Sequence, residues 1–206
     1  MTIEREPLLT PVAVKDLRPT QITVGMREVT LKRQMIRAQS AKKTGTFLGN
    51  HMIPVVLGPK KKNYVIDHHH LARALIEEEV KDVLVTVISD LSALEKDAFL
   101  FMLDNRGWMH PFDENGRRRD YAALPKTIGE LVDDPYRSMA GELRRLGGYA
   151  KDTTPFSEFI WADFLRRRIG KDAVAKDFDK AMKDALTLAK SKEAGYLPGW
   201  CGPITD

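Results

Sequence analysis

The hydrophobic pattern along the chain changes once, near Gly107. Before it, short apolar runs of strand period alternate with stretches of helical period. Val12 to Val14 predicts a short strand that turns off at Pro19. Gly25 to Ser40 carries Met26, Val29, Met35 and Ile36 at helical spacing. "KKTGTFLGNHM", 42–52, predicts a loop, and "IPVVLGPKKKNYVID" predicts two strands around a Gly-Pro-Lys turn, the second ending at Asp67. His69 to Glu79 predicts a helix with Leu71, Ala74 and Leu75 on one face. "DVLVTVIS", 82–89, is a nearly continuous apolar run and predicts a strand buried on both faces. "LSALEKDAFLFMLDNRG" predicts a helix with Leu94, Ala98, Phe101 and Met102 in register, ended by Gly107.

Beyond Gly107 no further strand is expected. Helices are predicted at Pro125–Val132, Tyr136–Leu146, Pro155–Ile169 and Ala173–Lys190. "DTTPFSEF" offers Thr154 as an N-cap, Pro155 at the first helical position and Glu158 in the first turn. Trp161, Phe156, Phe159 and Phe164 recur at helical spacing and predict core. The tail "AGYLPGWCGPITD" predicts irregular coil. The pattern describes an α+β fold (mixed α/β): a small sheet with helices over about residues 8–106, then a helical half, 107–206, packed on it as one compact unit.

Composition narrows the partners. The 206 residues carry 33 Lys and Arg against 29 Asp and Glu, with a pI of about 9.1. The excess is spread evenly. Residues 1–110 hold 16 basic against 13 acidic residues, and residues 111–206 hold 17 against 16. No basic arm exists, so DNA binding would require Lys60–Lys62, Arg117–Arg119, Arg144–Arg145 and Arg166–Arg168 to converge on one face. No apolar run is long enough to span a bilayer, and no basic region with an apolar stretch opens the chain, so neither a membrane anchor nor a secretory leader is expected. Cys201 is the only cysteine; a cytoplasmic protein without an internal disulfide is expected.

The candidate chemistry lies in "YVIDHHHLARAL", 64–75. A strand runs out at Asp67 and a helix starts almost at once. The free N–H groups and positive dipole end of such a junction attract phosphate. In this reading the backbone at His68 to His70 holds the phosphate, and His69 or His70 moves a proton near neutral pH. Arg73, one turn on, adds a charge-assisted bond. Asp67 holds Mg²⁺ or fixes a histidine tautomer. Two other readings stay open. The histidines could ligate a metal, although successive helical residues diverge by about 100°, so His51 or His110 would have to join. Or Asp67 simply caps the helix and the histidines are solvated or core-satisfied. "DNRGWMHPFDENGRRRDY", 104–121, gathers Asn105, Arg106, Trp108, His110 and Asp113 in a loop that could close over the cluster, or could be a helix C-cap with a packed Trp.

These residues carry a resemblance. "YVIDHHHLARAL" is similar to the nucleotide-phosphate box of the ParB/sulfiredoxin-like superfamily, most closely its ParB-like nuclease branch. Asp67 matches the acid, His69 and His70 the paired histidines, and Arg73-Ala74 the trailing pair. "VAVKDLRPTQ" resembles the first box through Leu17, Pro19 and Gln21, and "TPFSEFIWADFLRRR" resembles the helical half of that branch. The resemblance implies a sulfiredoxin-like sheet, binding of a nucleotide (ATP, ADP or CTP) or a phosphorylated small molecule, possible use of Mg²⁺, and phosphoester chemistry as a nuclease, nucleotide hydrolase or phosphotransferase. The alternatives are a non-catalytic DNA-binding module related to partitioning proteins and a degenerate ligand-binding member. Four departures stand out. His68 replaces the usual Gly, and Leu71 replaces the phosphate-binding Arg, whose place Arg106 could take. His69 stands where sulfiredoxins have their catalytic Cys. Gln21, on the opposite wall, stands where related serine kinases use a Glu, a role left to Glu28.

Overall fold

The hairpin at the centre of the fold forms because Ile53–Gly58 (β3) and Lys62–Val65 (β4) are rich in β-branched and aromatic residues around a Pro-initiated turn. The computed structural model describes residues 11–40 and 52–203. The loop predicted at 42–52 lies outside these residues except for Met52, and His51 lies outside them too. β4 leads into α2, His69–Glu77, and that helix crosses back to β5, Asp82–Asp90. β5 lies parallel to β3, with Ile53 opposite Val85. β1, Pro11–Ala13, pairs antiparallel with the start of β5. The sheet order is therefore β1-β5-β3-β4.

One face of this sheet is covered by α2 and by α1, Met26–Ser40. Leu71, Ala72, Ala74 and Leu75 of α2 join Val29 and Ile36 of α1 against Val55, Val65 and Val83. Val56 belongs to a second cluster, with Phe99, Leu100 and Leu103 of α3, Lys96–Asn105. Gly107 ends α3 as expected, with φ +64 and bonds from Gly107 and Trp108 N–H to Asp104 and Leu103 carbonyls.

Two expectations about this half are corrected. β5 is not buried on both faces: Val87 and Ile88 are each 49% exposed. β1 covers only Asp82–Leu84, and a register shift at Val55/Val56 leaves Ile88 between the paired Val87 and Ser89. The buried face of α3 is Phe99, Leu100 and Leu103, while Ala98 and Phe101 face outward and Leu94 precedes the helix. The "AFLFML" run is apolar all round, so spacing alone could not choose the face.

The second half also departs from the pattern. A strand does occur there: β6, Val132–Asp133, runs parallel to β2, Thr23–Val24. The helix predicted at 125–132 is only a tight turn, Ile128–Glu130. Glu130 accepts from the Lys126 and Thr127 N–H groups, which closes the turn, and Ile128 and Leu131 then drop into the core beside α2. α4, Pro135–Arg145, is capped by Asp134. α5, Ser157–Arg166, starts after Phe156 rather than after Thr154. The Thr154 N–H instead bonds the Asp152 carboxylate, and Phe156 takes a left-handed conformation, φ 58. The helix predicted at 173–190 is two helices, α6 (Lys171–Lys176) and α7 (Phe178–Ala189). They break at Asp177, whose carboxylate caps α7 through Lys180 N–H.

The core of this half includes Trp161 and Phe164, as the spacing predicts, with Leu165, Met139, Leu143, Tyr149 and Ala185. Phe156 and Phe159 are only half-buried. The irregular tail closes over this core: Trp161 Nε1 donates to Pro198 O, and a Cβ at Gly199 would lie 2.1 Å from Ala150 O, so only glycine fits there. Among the described residues no helix is long and apolar enough to cross a membrane.

Candidate phosphate site and the histidine cluster

Each of the three consecutive histidines has a different environment. His68 is exposed and left-handed, φ 66, and its N–H is held by Asp67 Oδ1 at 2.6 Å. That conformation favours glycine, which explains why a Gly would suit the position. Asp67 is exposed beside it. The His68 carbonyl accepts from Ala72 N–H, so α2 begins at once. The N–H groups of His69, His70 and Leu71 find no acceptor among the described residues. They lie at the positive end of the helix.

His69 is buried, and its Nε2 accepts from the Thr20 N–H at 3.2 Å. Burial holds its pKa down to about 3, against the opposing pulls of Asp67 and of the Val65 backbone. Thr20 Oγ1 donates to the Val65 carbonyl. His69 therefore ties the "LRPTQ" segment to the start of α2.

His70 points the other way. Its Nε2 accepts from Gly25 N–H at 2.9 Å and lies 3.7 Å from Glu28 Oε2. Burial pushes its pKa well below the ordinary value, and Arg137, His69, Lys32 and Arg145 push the same way. The ring is neutral with Nε2 accepting, so Nδ1 carries the proton. The acceptor nitrogens of His69 and His70 are thus both in use.

The first turn of α1 contrasts with that of α2. Gly25 N–H goes to His70, Met26 N–H to Asp133 Oδ1 at 2.8 Å, and Arg27 N–H to Ser138 Oγ at 3.3 Å. Glu28 follows, bound by Arg137 at 3.2 Å and by Arg145. Its carboxylate rests on Gly141, where a Cβ would come within 2.8 Å of it. A Cβ at Gly25 would meet the Ser138 backbone N at 2.7 Å. Gly25 and Gly141 thus let α1 and α4 approach closely.

Other predicted site residues are placed apart. Gln21 is buried and its Nε2 donates to the Thr23 carbonyl. Arg73 is committed to Glu77 and to the Leu131 carbonyl, at 2.8 and 2.7 Å. Arg106 is exposed and stacks on Trp108, 5.1 Å from the ring. The 104–121 loop does not close over His68–His70 but packs along Thr20-Gln21: His110 N–H donates to Thr20 O. The His110 ring lies between Phe112, at 4.4 Å, and Phe159, at 4.0 Å. Arg118 lies 5.9 Å from the Phe112 ring centre and Arg137 5.2 Å from that of Phe159, so each phenylalanine of this aromatic column also meets an arginine. The Arg runs of the helical half are ion-paired: Arg144 with Glu158, Arg145 with Glu28 and Glu142, Arg166 with Asp134, Arg167 with Asp163 and Arg168 with Glu193.

Among the described residues no three His, Cys, Asp or Glu side chains converge on a metal position. A Mg²⁺ at Asp67 would need water and phosphate oxygens to complete its shell. The sequence reading missed Thr20, Gly25, Ser138, Arg137 and Gly141. The last had a signal: a glycine inside the helical run "PYRSMAGELRR" costs helix stability and points to close packing.

The sequence profile of the family described as "Putative ParB-like nuclease" matches residues 10–167. The crystal structure of protein Atu1540 from Agrobacterium tumefaciens is similar, with a TM-score of 0.88 and 52% identity, covering 95% of this chain and 99% of that one. No curated protein matches. With the box, the sheet and the helical half as far as α5 inside the matched span, the chain belongs to the ParB-like nuclease family.

Proposed function

We propose that the protein binds the phosphate of a nucleotide or phosphorylated small molecule at the start of α2 and acts on the phosphoester there. The observation that carries this is the contrast between two helix starts. The first turn of α1 is closed by three side chains, whereas the N–H groups of His69, His70 and Leu71 are left open. Open N–H groups at a helix start hold phosphate oxygens. His70 Nδ1–H adds a donor from a neutral ring in a positive field. His68, exposed and with no hydrogen bond to its ring, is the imidazole able to exchange a proton with the bound ester. Asp67 holds the left-handed turn that presents it, and a Mg²⁺ would arrive with the nucleotide.

The test is a thermal-shift panel with ATP, ADP, CTP, GTP and inorganic phosphate, each with and without Mg²⁺, on the wild type and on His68→Asp. A ligand at about 100 times its Kd stabilises by about 2.7 kcal/mol. The carboxylate of His68→Asp would occupy the helix start, so basal stability holds or rises by up to about 1 kcal/mol while the ligand shift disappears. A nucleotide shift of equal size in both proteins, or none in either, rejects the site.

A further inference from the structure

A second group of unmatched donors lies in the helical half. His110 lines a cleft of about 260 Å³ between the 110–118 loop and α5, together with Phe112, Gly116, Asp134, Phe159 and Arg166. Phe112, Phe159 and Phe156 pack against its ring at 4.4, 4.0 and 4.9 Å. Neither ring nitrogen has a hydrogen-bond partner among the described residues. Arg166 gives Nη2 to Asp134 at 2.6 Å, its Nη1 is 3.7 Å from Asp163, and its buried Nε has no partner. Arg137, only 8% exposed, gives Nη1 to Glu28, and its buried Nε is likewise unpartnered. Guanidinium groups are rich in donors, and buried donors without acceptors require an explanation.

Asp113, Asp134 and Asp163 also line the cleft, and none of them accepts from either Nε. Asp134 takes Tyr136 N–H and Arg166, Asp113 takes Asn115 and Arg117 N–H, and Asp163 takes Arg167. A Cβ at Gly116 would lie 2.5 Å from Arg166 Nη1, so glycine keeps that side of the guanidinium clear. Burial first, and then Arg137, Arg166 and Arg118, with Asp104 opposing, keep the His110 ring neutral, so its edge offers one N–H. We infer that the His110–Arg166 cleft is a second oxyanion site, separate from the box, that takes a phosphoryl group. Arg166 supplies the charged donors and the His110 edge supplies one neutral donor. The small cleft suits a terminal phosphate better than a length of polyanion.

The test is a titration of the imidazole nitrogens of 15N-labelled protein by NMR. Inorganic phosphate and AMP are added in parallel, with sodium chloride at matched ionic strength as control. The His110 resonance is expected to move saturably with phosphate and with AMP but not with chloride. Arg166→Lys keeps a cation beside Asp134 and is expected to weaken binding at least tenfold. His110→Phe keeps the aromatic column and weakens binding as read by calorimetry. His68→Asp leaves this titration unchanged, which separates it from the box. Tighter binding of AMP than of phosphate assigns the source as a nucleotide, and equal binding assigns it as the free anion. A His110 shift that does not saturate, that chloride reproduces, or that His68→Asp abolishes overturns the inference.

Discussion

A histidine that accepts a backbone N–H must stay neutral, and His69 and His70 both do so. His110 is neutral for a related reason: burial first, then the neighbouring arginines, bring it to about 3. His69 falls to about 3 as well, and His70 moves in the same direction. In the unfolded chain all three would titrate near pH 6.5. Their folded pKa values are depressed, so the unfolded state binds more protons below pH 6.5. The stability they confer is full above that value and is lost as pH falls toward the folded values. Each contributes a slope of about 1.4 kcal/mol per pH unit in that window. Urea unfolding between pH 6 and 4.5 should therefore lose roughly 4 kcal/mol per unit from the three together, and His110→Phe should remove about a third of that slope. A slope of one proton or less would show that these rings charge in the fold. The box itself was legible at this scale, because a strand ending at an acid before a helical run is a local pattern. Which histidine stays open was not legible, because that depends on Thr20 and Gly25, which only packing brings alongside.

At the scale of elements, α1 and α4 meet through two glycines and a carboxylate. Gly141→Ala tests that contact. An alanine is worth up to about 1 kcal/mol over glycine in a helix, but here its Cβ would lie 2.8 Å from a Glu28 carboxylate pinned by Arg137 and Arg145. Overpacking of this kind costs about 1–3 kcal/mol, so the net change in urea unfolding should be destabilising. Gly129→Ala, whose nearest neighbours would be at 3.9 Å, should be close to neutral and serves as the control. A stabilised Gly141→Ala would mean the two helices have slack. Elements with a strong local pattern were readable, among them the β3–β4 hairpin, α2 and α4. The misread ones were settled by partners far along the chain or by a single cap. Val132–Asp133 is a strand because Thr23–Val24 pairs with it, and Asp177 divides a helical run because its carboxylate turns back on Lys180 N–H.

At the scale of the molecule, the composition break at Gly107 does not coincide with a break in packing. Ile128 and Leu131 fill the core under α2, β6 completes β2, and Arg137 and Arg145 hold Glu28. A fragment of residues 1–106 would lack all of these and would leave Glu28 without its arginines and the Met26 and Arg27 N–H groups without their acceptors. It should fail to give a cooperative thermal transition by circular dichroism, whereas the full chain should unfold in one step. A fragment that melts cooperatively would show the sheet half to be self-sufficient. The sequence showed two characters of chain on either side of Gly107, and these do correspond to a sheet-rich and a helical half. Their interlocking was hidden because it rests on contacts between residues about a hundred positions apart.

The closed start of α1 has a further use. Amides in the first turn of a helix ordinarily exchange with solvent deuterium at nearly unprotected rates, since nothing in the helix accepts them. Here Gly25, Met26 and Arg27 are held by side chains from α2, β6 and α4. Their exchange follows the separation of those elements, so the Met26 and Arg27 amides act as a clock for the opening of one half of the protein from the other, and the Gly25 amide for the parting of α1 from α2.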